Sequence, residues 1–251
     1  MTRRIVVPIL VFVAVSAIAS PLLAQVQSGT GLDPNILRLT VFSTAVGAAV
    51  VWLIWRSRLP YPPTTARGLV KPLLACLGVA VVIAGLLFAL AKAQGSPWRS
   101  GDLAHLGAPM GLWLLVQILG AAAEEVGWRG LVQPLLELRM RAPIAALIAG
   151  ALFALGHFYV AFGVSLLSFG LFVISAIGLS LVLALFTVDR SPADRVLIAT
   201  VLHFLVNMAT FLLFADGDGS PRYFAGLAAV FGGCGLVALF LLARRPAVHA
   251  S

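Results

Sequence analysis

Apolar residues run in long blocks along this chain, and the breaks between them fall at Pro, Gly and charged positions. The blocks cover residues 5–24, 36–55, 72–91, 109–128, 143–162, 165–187, 196–214 and 223–243. Each is near the ~20 apolar residues that a helix needs to cross a bilayer core. None alternates polar with apolar at a period of two, as the strands of a membrane barrel would. Lipid offers no hydrogen bonds to a bare backbone, so blocks of this length and uniformity predict helices. The expected fold class is all-α, a polytopic membrane protein of about eight transmembrane helices forming a single transmembrane domain over residues 1–251. The polar stretches near 25–35, 56–71, 92–108 and 215–222 are too short to bury cores of their own.

Composition strengthens this picture. Of the 251 residues 61% are hydrophobic and 10% charged, with a mean hydropathy of +1.06, whereas soluble domains carry roughly 25% charged residues. The net charge of +8 would raise nucleic acid as a partner were it not so one-sided. With the N-terminus inside, Arg3, Arg4, Arg56, Arg58, Arg67, Lys71, Arg129, Arg139, Arg141, Arg190, Arg195, Arg244 and Arg245 fall in cytoplasmic segments, and only Arg38, Lys92, Arg99 and Arg222 fall outside. That bias orients helices in a membrane, so both termini are expected in the cytoplasm and the basic surface is expected against anionic headgroups, with no nucleic acid. Trp52, Trp55, Trp98 and Trp128 fall near predicted helix ends, where interfacial anchors sit. The connector from Arg56 to Lys71, with Pro60, Pro62 and Pro63, reads as a stiff cytoplasmic strap near headgroups.

Residues 1–24 have two readings. Arg3, Arg4 and the small-residue pattern Ala17-Ile18-Ala19 fit a cleavable signal sequence, while the apolar run through Leu22 and Leu23 reaches a full span and favours a first helix. Cys76 and Cys234 lie in separate blocks without CxxC spacing and read as buried small hydrophobes.

Charge is so scarce in the blocks that the exceptions point to function. Glu124 and Glu125 stand side by side, and ionised residues at a helix centre in lipid cost roughly 2.5–3.5 kcal/mol each on insertion scales. Arg129 follows Glu125 by four residues in the favourable acid-first order, which predicts an ion pair along one side of the helix. Glu124 then points about 100° away around the axis. One acid is expected to be structural and the other chemical. Two more polar points follow: His157, alone in its block, and His203 with Asn207, four apart and so on one helical face. Counting rise per residue from the block ends, Glu124, His157, His203 and Asn207 agree in depth to within about 10 Å, so a shared, water-accessible pocket is plausible.

Such a set suits hydrolysis. A carboxylate as general base with an imidazole beside it can activate water. Asn207 and His203 can stabilise the oxyanion formed at a peptide carbonyl. A Glu with two His also resembles a zinc ligand set, but HExxH spacing is absent, and neither a metal nor a cofactor is expected. Buried Glu and His also serve proton-coupled transporters, although the inverted repeats and broken helix pairs of that class are missing.

Taken together, Glu124-Glu125-x-x-x-Arg129, Phe153-x-x-x-His157 and His203-x-x-x-Asn207 resemble the three motifs of the CPBP (ABI) intramembrane glutamic proteases, relatives of the CAAX prenyl endopeptidases. The wording Glu-Glu-Val-Gly-Trp-Arg-Gly, ending at Gly130, is close to the bacterial form of the first motif, and the motif-bearing core spans about residues 109–214. The resemblance implies an eight-helix membrane fold with a cavity open to the cytosol, set in a bacterial cytoplasmic membrane. It implies Glu124 as the base with His157 assisting, His203 and Asn207 as oxyanion stabilisers, and Glu125 and Arg129 in support. The implied partner is a peptide or membrane-protein substrate, whether lipidated or not. A non-catalytic scaffold or immunity protein of the same fold is the alternative.

Overall fold

The computed structural model describes residues 3–31, 33–34, 36–62, 64, 68–95, 108–213 and 220–245. Pro63, Arg67, Trp98 and Arg99 lie outside the described residues. Among those described, the regular structure is helical throughout. The helices are α1 (Arg3–Thr30), α2 (Ser43–Trp55, after a 3-10 turn at Leu39–Phe42), α3 (Val70–Ala93), α4 (Met110–Gly127), α5 (Gln133–Glu137), α6 (Ala142–Gly156), α7 (Leu166–Thr187), α8 (Pro192–Leu213) and α9 (Pro221–Ala243). A π turn at Trp128–Val132 joins α4 to α5, so that Met110–Glu137 is one continuous rod. Counting it once, eight helical rods appear among the described residues, in accord with the hydropathy pattern.

Six of them are long and apolar enough to cross a membrane; Leu39–Trp55 and Ala142–Gly156 are shorter. Large apolar side chains such as Leu10, Leu53, Leu166 and Leu236 are more than half exposed, as expected of helices whose solvent is lipid. The protein is an all-helical integral membrane protein.

The helices gather into two compact units. The first holds Met1–Ala66, Asp102–Arg139 and Asp189–Thr200; the second holds Arg67–Gly101, Met140–Val188 and Val201–Ser251. Helix α8 contributes its first turns to the first unit and its remainder to the second.

In the first unit α2 packs against both α1 and α4. Phe12 is fully buried and meets Trp128 edge-on, with ring centroids 5.1 Å apart. Gly127 permits that approach, because a Cβ there would lie 2.7 Å from the Phe12 ring. Trp128 is consequently only 4% exposed. The indole is a core residue, which corrects its expected place as an interfacial anchor. The proline strap after α2 also turns back onto protein: Leu59 is buried, and the Trp52 indole N–H donates to the Tyr61 hydroxyl at 2.8 Å. Burial pushes the Tyr61 phenol pKa up, and the hydrogen bond from Trp52 partly offsets this.

In the second unit α7 packs against α6 and α9, and α3 also packs on α9. A Cβ on Gly178 of α7 would run into the Phe231 carbonyl, and one on Gly235 of α9 would stand 2.5 Å from the Gly178 Cα. Close backbone approach of this kind supplies the van der Waals contact that holds helices together where lipid removes the hydrophobic drive. Ser180 adds a direct bond between helices, donating to the Ala146 carbonyl at 2.8 Å. Cys76 is buried, as expected, whereas Cys234 is only partly so; both are free thiols. Gly178→Val forces the α7 and α9 backbones apart. It should therefore lower the thermal midpoint of the purified protein, by an amount at or above the ~1–3 kcal/mol typical of overpacking, as read by a detergent unfolding scan.

Candidate active site

Helix α4 carries the acid pair into a buried setting. Glu124 is 9% exposed, Glu125 is fully buried and Arg129 is 3% exposed. Arg129 Nη1 donates to Glu125 Oε1 at 3.2 Å and stands 3.1 Å from Oε2. The i,i+4 pair read from the sequence thus forms between two charges withdrawn from solvent. Just before it, the Thr44 hydroxyl of α2 donates to the Ala123 carbonyl at 2.9 Å. A second helix therefore grips the backbone at the residue preceding Glu124.

Beyond Arg129 the structure departs from the expected helix end at residue 128. The rod continues because the charge of Arg129 is matched inside it, so that no interface is needed there. Pro134 offers a reason for the π geometry. It has no N–H to donate, and its ring would collide with the carbonyl four residues back, that of Gly130. A wider turn relieves this, with the Gln133 N–H reaching the Trp128 carbonyl five residues back. Such π bulges are rare and are often found at functional sites. At Gly130 a Cβ would be 3.0 Å from Val196 of α8.

The rod then carries a second polar layer that sequence reasoning missed. Gln133 Nε2 donates to Glu137 Oε1 at 2.8 Å. Arg195 Nη2 pairs with Glu137 Oε2 at 2.7 Å, and Arg195 Nε donates to the Arg190 carbonyl at 2.9 Å. Arg195 is 1% exposed and Arg190 9%. Three of the arginines assigned to cytoplasmic segments, Arg129, Arg190 and Arg195, are therefore buried in protein. A usable signal was present in the spacing: Glu125, Arg129, Gln133 and Glu137 recur every four residues.

In the second unit the imidazoles gather around an aromatic side chain. His157 caps α6 with φ −96° and ψ 22°, and a 3-10 segment, Phe158–Phe162, follows it. The expected helix through residue 162 is broken at the histidine. His157 Nδ1 lies 2.9 Å from the Phe153 carbonyl; a carbonyl only accepts, so Nδ1 is the donor in this contact. The Phe153 ring stands 4.4 Å from that of His157 and 6.2 Å from that of His203. Phe172 of α7 also stands near His157, at 5.8 Å. His203 is buried, and Asn207, one turn further along α8, is partly exposed. The Phe153 ring, first residue of the Phe153-x-x-x-His157 pattern, thus meets both histidine rings.

Glu124, Glu125 and Arg129 belong to the first unit; His157, His203 and Asn207 belong to the second. Within the first, the structure joins Glu125 to Arg129; within the second, it brings His157 and His203 to one phenylalanine. Among the described residues no group of three or more His, Cys, Asp or Glu side chains is gathered to hold a metal ion.

An all-helical membrane protein with a buried acid pair in one rod and two histidines and an asparagine in others belongs to a recognisable class. Residues 106–209 match a family model described as Type II CAAX prenyl endopeptidase Rce1-like. That stretch contains all three motifs and is similar to the CPBP/CAAX protease-like family. The kind of protein that the match supports is a CAAX-type membrane protease. No curated protein matches the chain.

The second polar layer makes a direct expectation. Arg195→Met strands Glu137 in a buried place and should destabilise the protein by about 3–5 kcal/mol. Replacing Glu137 by Gln as well should recover much of that loss, measured as the unfolding midpoints of the single and double variants.

Proposed function

We propose that the protein is an intramembrane endopeptidase that cleaves a peptide bond with water activated by Glu124, without a metal. The observation that carries this reading is one family match extending across all three polar motifs, in a helix where Glu125 is the acid committed to Arg129. Glu124 is accordingly assigned to chemistry. His157 fits the same reading, because the contact of its Nδ1 with the Phe153 carbonyl orients the ring and assigns Nε2 as the nitrogen that would act on water when the ring is neutral. Helix α6 has 15 residues and so rises roughly 22 Å, less than the ~30 Å of a hydrocarbon core. Non-helical backbone at such a depth is tolerated only where protein covers it or where it lines a watered cavity.

In the proposed reaction, Glu124 takes a proton from water as the water oxygen bonds to the scissile carbonyl carbon. His157 holds that water. His203 and Asn207 donate hydrogen bonds to the oxyanion that forms. The carbon–nitrogen bond then breaks as the proton passes from Glu124 to the leaving amine, giving a new carboxylate and a new N-terminus. The substrate is a peptide or membrane protein presented from the bilayer, consistent with the family's description.

Purified protein incubated with peptide libraries in detergent tests the roles. Glu124→Gln and His157→Ala should abolish cleavage, and Asn207→Ala should lower kcat by ~10²–10³, the usual effect of losing one oxyanion donor. Chelators should leave the rate unchanged. Undiminished cleavage by Glu124→Gln would sink this assignment.

A further inference from the structure

Thr44, in the first turn of α2, is half-buried and donates its hydroxyl to the Ala123 carbonyl of α4 at 2.9 Å, with the Val41 carbonyl farther off at 3.4 Å. The identity of the acceptor gives this bond its reach. A peptide unit is planar from one Cα to the next, so the oxygen of Ala123 is rigidly joined to the nitrogen and Cα of Glu124. A hydroxyl that fixes that oxygen therefore fixes the point from which the Glu124 side chain starts. The surrounding seam, all of it within the first unit, supplies shape without direction. Gly120, Ala123 and Gly127 recur at spacings of three and four and so share one face of α4. A Cβ on Gly120 would stand 3.4 Å from Val41; one on Gly127 would stand 3.1 Å from the Thr44 Cβ and 2.7 Å from the Phe12 ring. Small residues let helices approach closely, yet contacts this smooth let a helix slip or turn about its axis, which a directional hydrogen bond resists. Successive residues stand about 100° apart, so even a modest rotation of α4 re-aims Glu124, which is 9% exposed.

We propose that Thr44 is a positioning residue for the Glu124 base: its hydroxyl, acting through the Ala123 peptide, sets the height and rotation of α4 at the reacting carboxylate. The inference rests on the peptidase reading of Glu124. A base must meet its water at hydrogen-bond distance, and a displacement of about 1 Å can cost ~10²-fold in rate. Thr44→Val keeps the shape packed beside Gly127 and removes the donor, whereas Thr44→Ser keeps the donor.

Peptide cleavage by the full chain in detergent, with rates taken per folded protein below every variant's unfolding midpoint, reads the role. Thr44→Val should lower kcat by ~10–100-fold with KM little changed, and Thr44→Ser should keep most of the wild-type kcat. A bond that only stabilises would lower the unfolding midpoint of Thr44→Val and leave kcat per folded protein as it was. That result, with Glu124→Gln inactive, overturns the positioning role and leaves the base assignment standing. Undiminished cleavage by Glu124→Gln is the separate result that removes the base, and the positioning role with it. A second measurement needs no substrate. With Cys76 and Cys234 replaced by Ala, the labelling rate of Glu124→Cys by a small water-soluble maleimide reads where that side chain points. Adding Thr44→Val should change the rate several-fold, and adding Thr44→Ser should leave it near its original value. Equal rates in all three backgrounds overturn the proposal.

Discussion

The need to neutralise charge away from water governs the rod from Met110 to Glu137. Glu125 and Arg129 satisfy it first, four residues apart and almost wholly withdrawn from solvent. An isolated charge at that position would be costly in lipid, while the pair lets the helix carry both groups onward. The same logic repeats with Glu137 and Arg195, so that two layers of buried charge follow one another along a single rod. Between them lies the π turn, where Gly130 and Pro134 loosen regular α geometry. The Thr44 hydroxyl on the Ala123 carbonyl and the Phe12 ring beside Gly127 hold the other side of this segment to α1 and α2. The backbone that carries the acids is thus held by neighbouring helices.

The second unit solves a different problem, which is how to place imidazoles within an apolar structure. Phe153 serves both: its carbonyl holds His157 Nδ1, and its ring meets His157 and His203. The end of α6 at His157 gives the side chain a position at the edge of the regular helix. Tight packing of α7 against α9 through Gly178 and Gly235 provides the rigid backing. A site built on packed helices keeps its geometry better than one built on loops.

Much of the architecture was legible in the hydropathy pattern, because blocks of ~20 apolar residues have few other solutions in lipid. The Glu125–Arg129 pair was legible too, since helical spacing alone places those side chains together. What escaped was decided by tertiary contact. Trp128 looked like an anchor because it stood near a predicted helix end, but the opening at Gly127 admits Phe12 and buries the indole. The helix was expected to stop near Arg129 because charge normally marks an interface; matched within the rod, that charge marks none. Arg190 and Arg195 were counted as loop cations for the same reason. His157 was placed within a helix because Phe158–Phe162 is as apolar as the residues before it, and apolarity does not distinguish a 3-10 segment from an α-helical one.

The central claim is that the two adjacent acids have different tasks, Glu125 in the ion pair with Arg129 and Glu124 in the proposed chemistry. Two double-mutant cycles on thermal unfolding test it most directly, one combining Glu125→Gln with Arg129→Gln and the other combining Glu124→Gln with Arg129→Gln. The account predicts a coupling of about 0.5–3 kcal/mol, the range for residues in contact, in the first cycle and close to none in the second. A larger coupling between Glu124 and Arg129 than between Glu125 and Arg129 would contradict it.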